Sequence, residues 1–103
     1  MRLKSDSVSL QSLAPQLVPA IWMAQEVYNE YGTDLVITSG NDSVHSNASL
    51  HYSGAAVDLR TWNLPGEVDK QEVAMKIQDK LNKDYDVVLE SDHIHLEYQP
   101  KLT

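Results

Sequence analysis

The sequence predicts an α+β domain in which a small antiparallel sheet carries helices on one face. Two stretches, residues 12–31 and 69–81, repeat apolar residues at helical spacing. Four shorter runs, at 35–38, 55–61, 86–89 and 93–98, are β-branched or alternate in polarity. The resulting order is α-β-β-α-β-β, without repeats or low-complexity tracts, which suits helices gathered against one side of a sheet.

Residues 1–11 are polar and serine-rich and read as an extended lead-in to a single domain over 12–103. Through the first helical stretch Leu13, Leu17, Ile21, Ala24, Val27, Tyr28 and Tyr31 form one apolar stripe. Ser12 is the expected N-cap, and Gly32 the expected residue just past the C-terminus. Pro15 fits a first turn, but Pro19 inside a helix would remove a hydrogen bond and clash with the preceding turn. The helix therefore either begins near Pro19 or bends there. Leu35-Val-Ile-Thr38 reads as a buried strand, and residues 39–47 as a loop rich in Ser, Gly, Asn and Asp. In the next strand Ala56, Asp58 and Arg60 share one face, with Val57 and Leu59 on the other. Pro65-Gly66 marks the turn within a second loop, over 62–68. Asp69-x-x-Glu72 has the form of a capping box, ahead of a helix with Val73, Ala74, Ile77 and Leu81 on its apolar side. The last two strands are joined by a tight Glu90-Ser-Asp92 connection, which predicts a hairpin.

A chain of 103 residues, 42% apolar, is one ordinary globular domain. No stretch is long and apolar enough to cross a bilayer, so no membrane insertion is expected. Met1-Arg-Leu-Lys4 leads into polar residues, so no secretory signal is read there. There are no cysteines, which excludes disulfides and thiolate-bound zinc and leaves histidines and carboxylates as the strong ligands. The net charge of -7 supplies no basic footprint for nucleic acid.

Of the four histidines, three fall with an aspartate in two short segments. The first is Ser49-Leu-His51-Tyr-Ser-Gly54-Ala-Ala56-Val-Asp58, and the second is Asp92-His93-Ile-His95-Leu-Glu97. Strand geometry puts His93, His95 and Glu97 on one face, with Ile94, Leu96 and Tyr98 opposite. If the apolar faces meet the helices, Asp58 and the histidines look out together on the open side. His51, seven residues before Asp58, can reach the same face from a loop. Histidine is the commonest zinc ligand, and a His/Asp/His set leaves a fourth position for water. Taken singly, each residue has a plainer use. A His-x-His on a strand is more often a surface pair, and a buried Asp more often a partner for amides or an Arg. A closed structural zinc with His93 or Glu97 as fourth ligand is a further alternative.

The two segments resemble the zinc D-Ala-D-Ala carboxypeptidases, the phage L-Ala-D-Glu endolysins and the hedgehog signalling domain, which form one superfamily. Ser49-x-His51-x-x-Gly54-x-Ala56-x-Asp58 matches its SxHxxGxAxD motif, and Asp92-x-x-His95 resembles its second motif. Leu13-Ala-Pro and Val36-Ile-Thr-Ser-Gly40 are similar to its run-in, and the local wording is closest to hedgehog. The resemblance implies a hedgehog/DD-peptidase-like fold with a zinc site on the open face, ligated by His51, Asp58 and His95. It also implies a zinc metallopeptidase that hydrolyses a peptide bond in peptidoglycan through an activated water. The alternative is a catalytically weak or inactive hedgehog-like binding module.

The same resemblance assigns the general base to Asp92, with Glu90 as its rival, because hedgehog carries a glutamate just before its His-x-His. His93 is implied to line the site without binding metal, and His45 to supply a second donor unless it is a loop histidine. Bacterial peptidases often carry an arginine after the Thr-Ser-Gly segment, where this chain has Asn41-Asp42. Arg60 lies on the correct face to compensate, although a salt bridge is the commoner use of such a residue. The expected partner is a peptidoglycan stem or cross-link. The expected protein is a bacterial or phage monomer, made in the cytoplasm and acting on the wall after release or within a larger assembly.

Overall fold

The computed structural model describes residues 1–4, 14–39 and 56–100. Among these residues seven elements follow one another: β1 (Arg2–Leu3), α1 (Leu17–Glu30), β2 (Val36–Ser39), β3 (Ala56–Arg60), α2 (Lys70–Lys80), β4 (Tyr85–Leu89) and β5 (His93–Tyr98). The strands make one five-stranded sheet in the order β1-β2-β3-β5-β4. Every pairing is antiparallel except β1 with β2, so the α+β class holds but the sheet is mixed. The parallel strand comes from the lead-in: Arg2 and Leu3 pair with Val36 and Ile37. Arg2 Nε, 3.0 Å from Asp34 Oδ2, ties that strand to the turn before β2.

Helix α1 begins at Leu17, with Gln16 at its N-cap. That start resolves the proline problem, because Pro19 then lies in the first turn, where backbone N–H groups have no partner within the helix. The expected cap, Ser12, lies outside the described residues. At the other end Gly32 takes φ 68°, which few side-chain-bearing residues adopt. Its N–H bonds the Asn29 carbonyl at 3.0 Å, and the Thr33 N–H bonds that of Tyr28 at 3.1 Å. These two bonds make a Schellman close, in which orphan carbonyls are satisfied by the reversing chain. At the start of α2 the Asp69 carboxylate accepts from the Gln71 N–H at 2.9 Å. Glu72, the other half of the anticipated capping box, bonds the Tyr31 hydroxyl of the α1 end instead (2.8 Å).

Both helices pack on one face of the sheet. The core joins Leu17, Ala20, Ile21, Ala24, Val27 and Tyr28 of α1 and Val73, Ala74 and Ile77 of α2 to Ile37, Val57, Leu59, Ile94 and Leu96 of the strands. Two glutamines fasten helix to strand through backbone groups. Gln25, buried on α1, accepts from the Leu35 N–H at 3.2 Å. Gln78 of α2 accepts from Val87 N–H at 3.1 Å and donates to the Tyr85 carbonyl at 3.0 Å, both on β4. A third polar tie reaches toward the open face. The Tyr28 hydroxyl donates to the Arg60 carbonyl at 2.6 Å and so fixes the end of β3.

Candidate functional site

Strands β3 and β5 lie side by side with Asp58 opposite His95, Arg60 opposite His93 and Ala56 opposite Glu97. Alternate residues share a face, so these side chains all rise from the side away from the helices. The intervening Val57, Leu59, Ile94 and Leu96 are buried against the helices. Strand registry thus brings together residues 37 positions apart in the chain: His95 Nδ1 lies 3.0 Å from Asp58 Oδ1.

His95 is held from both sides, with its Nε2 2.9 Å from Glu97 Oε1. Carboxylates only accept, so both ring nitrogens carry protons in this arrangement and the ring is an imidazolium. The bond to Asp58 is the main reason that the His95 pKa is raised from 6.5 to about 9; partial burial opposes the rise and the Glu97 bond adds to it. Glu97 is itself held, because the Gln99 amide, turned with its nitrogen toward the carboxylates, donates to Glu97 Oε2 at 3.1 Å and to Asp86 Oδ2 at 2.8 Å.

His93 forms a second pair. Its Nδ1 is 2.7 Å from Asp92 Oδ1, and its Nε2 is 3.7 Å from Asp58 Oδ1. Asp92 accepts, so Nδ1 carries the proton; Nε2 is then a lone pair in the neutral ring and an N–H donor in the charged one. Asp92 and His93 line an open cleft of about 250 Å³ together with Lys4, Thr38, Arg60 and Trp62. Glu90 is exposed and is not among the described residues that line this cleft. Its backbone N–H bonds the His93 carbonyl at 2.8 Å and closes the tight hairpin expected there.

Of the anticipated metal ligands, Asp58 and His95 are therefore adjacent, and their oxygen and nitrogen donors suit zinc by type. His51 and His45 lie outside the described residues, as do Ser49 and Gly54. Among the described residues no three His, Cys, Asp or Glu side chains are gathered to hold a metal. That holds for the open His51/Asp58/His95 site and for a closed one completed by His93 or Glu97 alike, since His51 lies outside the described residues. Lys4 and Trp62 entered the cleft without notice from the sequence. Lys4 arrives only through the parallel pairing of β1, which leaves no local signal, whereas Trp62 sits two places beyond Arg60 at a strand end.

The family model for peptidase M15 matches residues 3–97, nearly the whole length of the chain. The chain belongs to the peptidase M15 family. As an M15 chain it lies in the zinc D-Ala-D-Ala carboxypeptidase and endolysin-type superfamily that its motifs resemble. M15 membership supports a peptidase, and M15 peptidases are zinc-dependent. No curated protein and no solved structure gives a significant match. No helix among the described residues is long and apolar enough to cross a membrane.

Proposed function

We propose that this M15 chain is a zinc metallopeptidase that hydrolyses a peptide bond in bacterial peptidoglycan. The observation that carries the reading is the direct cross-strand pairing of Asp58 and His95 on the open face, beside a cleft that contains Asp92 and His93. Asp58 and His95, with His51 from the preceding segment, would hold the metal. When bound, zinc supplies a Lewis acid for the peptide carbonyl and lowers the pKa of a coordinated water to about 7.

The chain's own residues do the rest. Asp92 takes the proton of the attacking water and returns it to the leaving amine. Asp92 lines the cleft beside His93 and Glu90 is not among its described lining residues, which supports Asp92 as the base. His93, oriented by its 2.7 Å bond to Asp92, donates through Nε2 to the developing oxyanion when its ring is charged. His45 is a candidate for a second donor. The protein acts on stem peptides or cross-links of the wall as a monomer, after release from the cytoplasm or within a larger assembly.

The test is digestion of purified sacculi and muropeptides by the zinc-loaded protein, read by mass spectrometry. New peptide termini that vanish with chelator, and with the Asp92→Ala/Glu90→Ala double variant, support the proposal. Equal products from wild type and double variant would sink it and leave a zinc-containing binding module as the better account.

A further inference from the structure

The cleft beside the candidate site holds two cationic side chains as well as the Asp92 carboxylate. Lys4 and Arg60, far apart in sequence, line it together with Trp62. Three cations of the fold are used in ion pairs, Arg2 with Asp34, Lys76 with Glu30, and Lys80 with Glu26, whereas Lys70 and Lys83 have none among the described residues. Lys4 and Arg60 have no ion-pair partner among the described residues.

Arg60 is also held in place without its charge being answered. Its backbone is pinned by the Tyr28 hydroxyl, and its guanidinium carbon lies 4.2 Å from the centre of the Trp62 ring. A cation–π contact stabilises the charge but leaves the N–H donors unbonded. One of them, the buried Nε, has no hydrogen-bond partner. A pre-oriented guanidinium fork with open donors matches the two oxygens of a carboxylate. Arg60 stands directly across from His93 in the strand pairing, so the anion would sit next to the reacting groups.

We infer that Arg60, assisted by Lys4 and backed by Trp62, is a carboxylate subsite that anchors an acidic group of the peptide beside the bond to be cut. The inference rests on the peptidase reading for its substrate and on the cleft alone for its chemistry. It assigns a specificity-determining role to residues that the run of Asn41-Asp42 leaves open. The carboxylate has two sources in a wall peptide, a free C-terminus or the carboxyl of an internal acidic residue.

Trp62 is exposed at the cleft and reports on it once Trp22, the other tryptophan, is replaced in a Trp22→Phe background. The probes are acetyl-D-alanyl-D-alanine against its C-terminal amide, and acetyl-L-alanyl-D-glutamate against its α-amide. At least one acid is expected to bind tenfold or more tightly than its amide, and the pair that shows the preference identifies the source. Arg60→Gln should erase that preference, Arg60→Lys should keep part of it, and Lys4→Gln should weaken it severalfold. Equal binding of acid and amide in the parent protein, or an undiminished preference in Arg60→Gln, overturns the inference. Should Arg60→Gln fail to fold by circular dichroism, the acid/amide comparison and Lys4→Gln decide alone. In turnover, Arg60→Gln should raise KM at least tenfold with kcat within about threefold. Acid preference without turnover would sink the peptidase reading only, and turnover indifferent to acid or amide would sink the subsite only.

Discussion

In protein stripped of metal by chelator, raising the pH should remove a definite share of stability through His95. Its pKa is about 9 in the fold, against 6.5 for an ordinary histidine, a gap worth about 3 kcal/mol as an upper figure. The folded state binds the proton more tightly than the unfolded chain. The stabilisation is therefore complete below about pH 6.5 and is lost as pH rises through about 9. With a urea slope near 1.5 kcal/mol/M, the unfolding midpoint should fall by roughly 2 M between pH 6 and pH 10. Asp58→Asn removes the largest cause of the shift, so it should lower the His95 pKa and flatten the pH profile. The direct assay is the imidazole proton resonance of His95, assigned by its loss in His95→Gln and followed from pH 5 to 11. A midpoint between 6 and 7 in the wild type would refute the reasoning, because it would mean that Asp58 and Glu97 do not clamp a charged ring. The same proton opposes metal. Removing it at pH 7 costs about 2.7 kcal/mol, which predicts roughly 100-fold weaker apparent zinc affinity than above pH 9 from this residue alone.

Asp92→Ala should lower kcat by about 10² to 10⁴, as loss of a general base does, while Glu90→Ala stays within a few-fold of wild type in the same muropeptide assay. Tyr28→Phe leaves the Arg60 carbonyl without its hydroxyl donor, and urea unfolding should report a loss of about 1–2 kcal/mol. Gly32→Ala meets no steric obstacle but must hold φ 68°, so it should cost about 1–2 kcal/mol and lower the thermal midpoint by several degrees.

What was legible in the sequence was periodic or covalently local. The alternation of His93, His95 and Glu97 with Ile94, Leu96 and Tyr98 fixes their faces wherever the strand lies, and the structure keeps both sets apart. Gly32 and Asp69 announced their turns because helix ends have backbone groups that few residue types satisfy. Strand β1 was not legible, because two residues carry no period and its pairing is made with a segment more than thirty residues away. Glu72 illustrates a different failure, since its local capping partner lost to the Tyr31 hydroxyl, a tertiary neighbour. The meeting of Asp58 and His95 could be anticipated as a shared face, but the direct register between them is set by pairing across the sheet. His51 and His45 fall outside the described residues, so their roles rest on motif alone.

The grip of Gln78 on β4 has a meaning beyond helix docking. Strand β4 is the last of the sheet, and the groups that Gln78 occupies, the Val87 N–H and the Tyr85 carbonyl, point outward from it. An outer strand with such groups open is a template on which another chain can add, the first step toward ribbons and fibres. One amide side chain reproduces the donor and acceptor of a neighbouring peptide unit and occupies that place within the molecule. A change to alanine at this position would expose the border of the sheet, and its cost would be read in light scattering at high concentration before it was read in a melting curve.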